Sequence, residues 1–251
     1  MIPRSPIRFA TRTFDVRLLL TNDDGFDAPG LRQLIEVARE FGEVVVAAPA
    51  QCWSGCGHRI RTDGPIEVDE VAPGEFRIHS YPADCVRLAI AELVGPVDRV
   101  LAGINDGGNL GADVHVSGTV AAAREAALFR IPAVALSQYR AAGGRSTWDD
   151  SGRLVRRVLR EILEPIAPGE LLNVNLPDLA HCELGAAWHD SVAIVPCPVD
   201  SHPLPYRYRR EGNRFRYAGD YHGRERHPES DVARCFGGAI TLTRFPVASD
   251  R

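Results

Sequence analysis

With 251 residues, 45% of them hydrophobic, and a formal net charge of −4, the chain can bury one large core with additions, and its charge disfavours general affinity for nucleic acid or anionic membrane. No apolar run approaches the roughly 20 residues that span a bilayer. All 29 basic residues are arginine, which excludes a P-loop, a Schiff-base enzyme and any phosphotransfer site that sets a lysine beside an aspartate.

Residues 1–15 carry Arg4, Arg8 and Arg12 with no acid before Asp15 and no signal-peptide apolar core, and they read as a loose leader. The apolar run from Val16 to Leu20 reads as a buried strand of a parallel sheet, followed at once by Thr21-Asn22-Asp23-Asp24-Gly25. Pro29 to Phe41 has helical spacing, and Val44 to Ala48 is a second buried strand. The loop from Pro49 to Gly64 holds Ser54-Gly55-Cys56-Gly57-His58. Alternation on both sides of Pro73-Gly74 predicts a hairpin, and Pro82 to Val94 predicts a helix. A third strand, Val97 to Ala102, leads into Gly103 to Gly111, which contains four glycines in nine residues. Ser117 caps an Ala-rich helix ending near Phe129. Strands at Ile131 to Leu136 and Leu171 to Leu176 flank a helix from Asp149 to Ile166.

This alternation predicts a three-layer, Rossmann-like α/β fold with a doubly wound, mostly parallel sheet. Residues 16–177 form the expected catalytic core. Residues 178–251, with short runs at 214–218 and 239–245, form the expected β-rich C-terminal oligomerisation arm and final strand, which are not required to close the sheet. Tyr206 to Arg210 and Phe215 to Tyr217 interleave rings with arginines. Such a run suits an interface between subunits better than single-stranded nucleic acid in an acidic chain.

Ligands of open parallel sheets sit beyond the carboxyl ends of the strands. There the sequence offers Asp23 and Asp24, Ser54, and Asn105. Two carboxylates with hydroxyl and amide oxygens form a hard-ligand set suited to Mg²⁺ or Mn²⁺. The helix start at Ser117 adds free amides and a positive dipole end, a natural phosphate cradle. Together these parts suit attack of a metal-activated water on a phosphate monoester. Cys52, Cys56 and His58 lack a fourth zinc ligand, and six scattered cysteines without CxxC spacing read as reduced thiols of a cytoplasmic protein. The eight histidines show no HExxH spacing and read mostly as surface residues. A receiver-like domain would need a lysine, and a Ser-His-Asp hydrolase would need a GxSxG elbow; neither is present.

These segments resemble the survival protein SurE family of divalent-metal-dependent nucleoside monophosphate phosphatases. The resemblance rests on Thr21 to Gly25 with Ala28-Pro29-Gly30, Ser54 to His58, and Pro82-Ala83-Asp84-Cys85-Val86. It continues through Gly103 to Gly111, Asp113, Ser117-Gly118-Thr119-Val120 and Asn173 to Pro177. It implies one divalent ion, Mg²⁺ or Mn²⁺, on Asp23, Asp24, Ser54 and Asn105, with Asp23, Asp24 and Asn105 also catalytic. It implies phosphate contacts at Asn109, Ser117, Gly118 and Thr119, and release of phosphate from 5′- and 3′-nucleotides with some polyphosphatase activity. A homodimer or homotetramer built partly by the C-terminal arm is implied as well. The family's usual Gly-Thr before Pro-Ala-Asp is Ser80-Tyr81 here, and the aromatic or histidine before Ser-Gly-Thr is Val116. The late Ser-x-Thr-Pro pattern is Thr241 to Arg244. An altered phosphate substrate or a non-catalytic metal-binding scaffold is the alternative reading.

Overall fold

A computed structural model describes residues 16–162, 166–179 and 188–247. The expected leader and Cys182 lie outside the described residues. Strand β1 (Arg17–Thr21) contains Leu18, Leu19 and Leu20, all fully buried. Strand side chains alternate between faces, so Leu18 and Leu20 join one apolar layer and Leu19 joins the other. A strand that is apolar on both faces belongs in the middle of a sheet covered on both sides.

The first layer takes most of its helical residues from α1 (Pro29–Ala38) and α4 (Trp148–Ile162), with Trp188 added from the tail. The second takes them from α2 (Pro82–Leu88), continued by a π turn at Ala89–Leu93, and from α3 (Gly118–Leu128). Between the layers run β2 (Glu43–Pro49), β3 (Val68–Ala72), β4 (Glu75–Ile78), β5 (Arg99–Asp106), β6 (Ala133–Gln138) and β7 (Glu170–Leu176). After β7 come α5 (Trp188–Ser191), β8 (Ile194–Pro196), the pair β9 (Tyr208–Glu211) and β10 (Arg214–Tyr217), α6 (Asp231–Phe236) and β11 (Ile240–Pro246).

The sheet order is β3-β4-β2-β1-β5-β6-β7-β11-β8. From β4 to β7 every neighbouring pair is parallel. The chain builds outward from β1 through β2 and then returns to lay β5 on the other side of β1. That reversal is a topological switch point, where such sheets open a crevice at the strands' carboxyl ends. No helix among the described residues is long and apolar enough to cross a membrane.

One expectation changes. The third strand does not stop at Ala102 but runs to Asp106, with a register shift against β6 between Ala102 and Asn105. Its glycine is not a loop signal: Gly103 has φ +145°, and a Cβ there would lie 2.3 Å from the Leu136 carbonyl oxygen. Close strand approach demands glycine as firmly as a turn does. The tail's final strand joins the sheet, and a second, shorter strand comes with it. Strand β11 pairs antiparallel with β7 from Thr241–Asn175 to Pro246–Glu170, and β8 adds to it in parallel. The run at 239–245 has too few residues to reveal which neighbour it joins, because pairing partners so distant in sequence leave no local pattern.

Candidate functional site

The site begins where β1 ends. Asn22 clasps the turn, its Nδ2 donating to the Gly25 carbonyl at 2.8 Å while its Oδ1 accepts the Gly25 amide at 3.3 Å. Asp23 is thereby turned inward, with 3% of its surface exposed. Its backbone carbonyl accepts the Trp53 amide at 2.7 Å, which ties the Ser54 loop to the end of β1.

The amino end of α3 is aimed at the same carboxylate. Thr119 Oγ1 donates to Asp23 Oδ1, and the Thr119 amide also bonds this side chain. Gly118 packs so closely that a Cβ would lie 2.8 Å from Asp23 Cβ and 2.9 Å from Cys56 Sγ. Burial nevertheless pushes Asp23 up to about 6, helped by the charge of Asp24 and opposed by the Thr119 bonds. Asp24 is also raised, chiefly by burial, while its Oδ2 accepts the Asp106 amide at 2.9 Å.

Asp23, Ser54, Asn105, Asn109 and Ser117 line one pocket of about 480 Å³ at the switch-point crevice, within the usual size range for small-ligand sites. Asn105 Nδ2 donates to the Gly107 carbonyl at 2.8 Å, while Asn105 Oδ1 accepts no hydrogen bond among the described residues. Asp24 does not line this pocket; it faces an adjoining cavity of about 220 Å³ with Asp106 and Trp148.

The expected phosphate residues divide by what already holds them. Ser117 Oγ accepts the Val120 amide at 3.1 Å as the cap of α3, and the Ser117 amide donates to Asp113. The side chain and amide of Thr119 serve Asp23. Asn109 is locked in the loop, its Nδ2 donating to Ser137 Oγ at 2.8 Å and its amide to Asn175 Oδ1 at 2.8 Å. The Gly118 amide has no partner among the described residues.

Sequence reasoning passed over several residues around this pocket. Glu125, 3% exposed within the Ala-rich α3, accepts from His58 Nε2 at 2.7 Å and from Arg87 at 2.9 Å. Burial alone would raise Glu125, but the bonds from His58 and Arg87 outweigh it and hold the carboxyl below the usual range. His58 therefore anchors the Ser54 loop to α3, not a zinc ion. The lone acid in a run of alanines was the available signal. Tyr139 follows β6 directly and, with Tyr221 and His222, forms the pocket's aromatic side. Only Tyr139 was detectable, by its place at a strand's carboxyl end. Among the described residues, no three His, Cys, Asp or Glu side chains gather as a metal cluster.

The profile of the family described as Survival protein SurE matches residues 18–191. The chain belongs to this family. Among SurE-family relatives, a protein of Nostoc sp. provisionally named a 5′-nucleotidase is 45% identical over 92% of this chain and 99% of its own length. The 5′-nucleotidase SurE of Geobacter metallireducens is 43% identical over 68% of this chain and 69% of its own. The crystal structure of the SurE protein from Aquifex aeolicus superimposes with a TM-score of 0.79 at 26% identity, covering 94% of this chain and 95% of that one. The mostly parallel sheet with helices on both faces is thus the SurE-family fold.

Proposed function

We propose that the chain is a divalent-metal-dependent phosphomonoesterase that hydrolyses nucleoside 5′-monophosphates, and 3′-monophosphates, to nucleoside and phosphate. The observation that carries this reading is Asp23, a buried carboxylate at the switch-point crevice with no cationic partner among the described residues. Its raised pKa reflects a charge that the protein alone does not neutralise. A hard cation, Mg²⁺ or Mn²⁺, would fit that deficit, held by Asp23, Ser54 and Asn105 with the free Asn105 Oδ1 among the donors, and by Asp24 once its side chain turns in from the adjoining cavity. When bound, the ion supplies Lewis acidity toward a phosphate oxygen and a water that ionises near neutral pH.

The chain's own residues do the remaining work. Thr119 holds Asp23 in one orientation, and Asn22 fixes the turn that presents it. The unpaired Gly118 amide at the amino end of α3 would serve the substrate's phosphate, with Ser117, which lines the pocket, holding the first turn. Asn109 acts by keeping the glycine loop in place. The names of the Geobacter and Nostoc relatives support the nucleotide as substrate.

The hairpin of β9 and β10 supports assembly into a dimer or tetramer. Its eight residues are all exposed, including Tyr208, Phe215 and Tyr217, and a second copy of the chain would cover those rings. The free thiols at Cys52, Cys56, Cys85, Cys197 and Cys235 support a reducing, cytoplasmic setting. A phosphate-release screen over nucleotides, sugar phosphates and polyphosphate, with and without Mn²⁺, tests the activity. Mn²⁺-dependent release that favours nucleoside monophosphates is expected. Release without metal, or only from a non-nucleotide ester, would overturn it.

A further inference from the structure

The pocket has two chemically different ends. Asp23, Ser54, Asn105 and Ser117 furnish one with oxygen donors, while Tyr139, Tyr221 and His222 furnish the other with rings. A metal ion and a phosphate group use only the first end. The second is built from segments more than eighty residues apart, and its parts are held in place.

Tyr139 is 6% exposed and stacks on Phe236, ring centres 4.3 Å apart and planes 15° from parallel. Its hydroxyl lies 2.9 Å from His222 Nδ1. The segment carrying His222 is strapped to the pocket by Asp113, which accepts from the Tyr221 hydroxyl at 2.7 Å and from Arg224 at 3.2 Å. Arg224 also donates to the Leu110 carbonyl at 3.3 Å and covers the Tyr221 ring at 4.3 Å. Deeper in, Asp231 accepts the Gly111 amide at 2.8 Å. His222 itself is exposed, its ring edge-on to Tyr221 at 5.5 Å and 89°. Its Nε2 has no partner among the described residues.

The proton arrangement follows from the pair. Burial raises Tyr139 above the ordinary phenol range, so the hydroxyl keeps a proton that it can donate to Nδ1. With the phenol as donor to Nδ1, the ring's N–H is the one on Nε2. The result is a fixed N–H donor on an aromatic wall, beside a polar floor. Such a wall suits a nucleoside, which offers a flat base to stack on rings and acceptors on sugar and base. A polyphosphate chain has no such ring.

We propose that Tyr139 and His222 form the nucleoside-reading wall of this pocket, with His222 Nε2–H donating to an acceptor on the ribose or base of a nucleoside monophosphate. This inference rests on the nucleotidase reading and adds the residues that recognise the substrate's organic half.

The test compares two constants in one assay that follows adenosine release from AMP: KM for AMP, which reports both ends, and Ki for inorganic phosphate, which reports the polar end. In His222→Ala the ratio of KM to Ki should rise five- to tenfold. His222→Gln, whose amide N–H can replace Nε2–H, should recover at least half of that rise. Tyr139→Phe should raise the ratio by a smaller factor, since the ring and its stack on Phe236 survive. A ratio within threefold of wild type in His222→Ala would overturn the proposal, whether both constants move together or neither moves. A glutamine variant no better than alanine would overturn the donor role. Wild-type protein that releases no adenosine from AMP would overturn the nucleotidase reading itself, a different failure from an unchanged ratio in an active enzyme.

Discussion

Two neighbouring stretches of the C-terminal region share a composition and differ in fate. In the β9–β10 hairpin, Tyr208, Phe215 and Tyr217 are 61%, 64% and 51% exposed; Tyr208 and Tyr217 meet edge to face, Arg210 covers Phe215, and Tyr217 lies against Gly219. From Tyr221 to Phe236 the same residue types are packed: Arg224 is 7% exposed, paired with Asp113 and bracketed by Tyr221 and Phe236. The difference lies in what each stretch can reach. The second lies over the 3₁₀ turn at Gly111–His115 and meets a carboxylate there; the strands of the hairpin pair with each other and, among the described residues, with no other strand. Aromatic and arginine residues therefore do not define an assembly arm by themselves. Their surroundings separate the part that completes the pocket from the part left exposed.

The largest effect should come from the polar floor that the packed stretch encloses. Asp23→Asn should lower kcat on AMP by about a thousandfold, because halving the carboxylate charge weakens the ion's hold on its site. The same variant should be at least as stable as wild type without metal. A shift from 3.8 to about 6 corresponds to roughly 3 kcal/mol against the ionised form. Steady-state kinetics and urea unfolding check the two halves.

Breaking the strap comes next. Arg224→Met leaves Asp113 half of a buried pair and should reduce stability by about 3 kcal/mol, with a roughly tenfold fall in kcat/KM for AMP. Urea unfolding monitored by tryptophan fluorescence measures the first, and the nucleotide assay the second. If activity holds while stability falls, the packed stretch is scaffold and not pocket.

A pH effect of intermediate size follows from Asp23. Its folded pKa lies above its unfolded value, so its contribution to metal-free stability is full below about 4 and is lost as pH rises through about 6. Divalent cations require the ionised form, so the opposite trend holds for them. The rise in melting temperature caused by Mn²⁺ should be small at pH 5 and fully developed by pH 7. Asp23→Asn should remove that pH dependence.

The smallest effect on subunit stability should come from the hairpin. Arg207 and Ala218 are already bridged by a 2.8 Å backbone hydrogen bond, so residues 208–217 can be replaced by two glycines. The subunit's own stability should change by less than about 0.5 kcal/mol, as surface changes usually do, while the mass by light scattering falls. Cutting from 200 to 227 would instead remove Tyr221, His222 and Arg224 and confuse the two stretches.

What could be read from the sequence follows the same line. Leu18 to Leu20, the helix start at Pro29, the cap at Ser117, and the alternation of strands and helices are local signals, and the five parallel strands from β2 to β7 follow from them, whereas the pairing of β4 with β2 does not. Asp23, Ser54 and Asn105 could be picked out because strand ends of such sheets face one crevice. The turn of Asp24 toward Asp106 could not, since it depends on a strand that extends four residues past its apolar run. Nor could the destination of His222, read as a surface histidine: it is exposed, but its neighbours arrive from β6 and from Asp113. Contacts across more than eighty residues carry no periodicity.

The most direct test of the central claim is the Mn²⁺ dependence of adenosine release from AMP after complete chelation, measured for wild type and Asp23→Asn. Metal-stripped wild type should be inactive and recover saturably as Mn²⁺ is added, while Asp23→Asn stays inactive into the millimolar range. Full activity in chelated wild type, or recovery of Asp23→Asn to the wild-type rate, would contradict it.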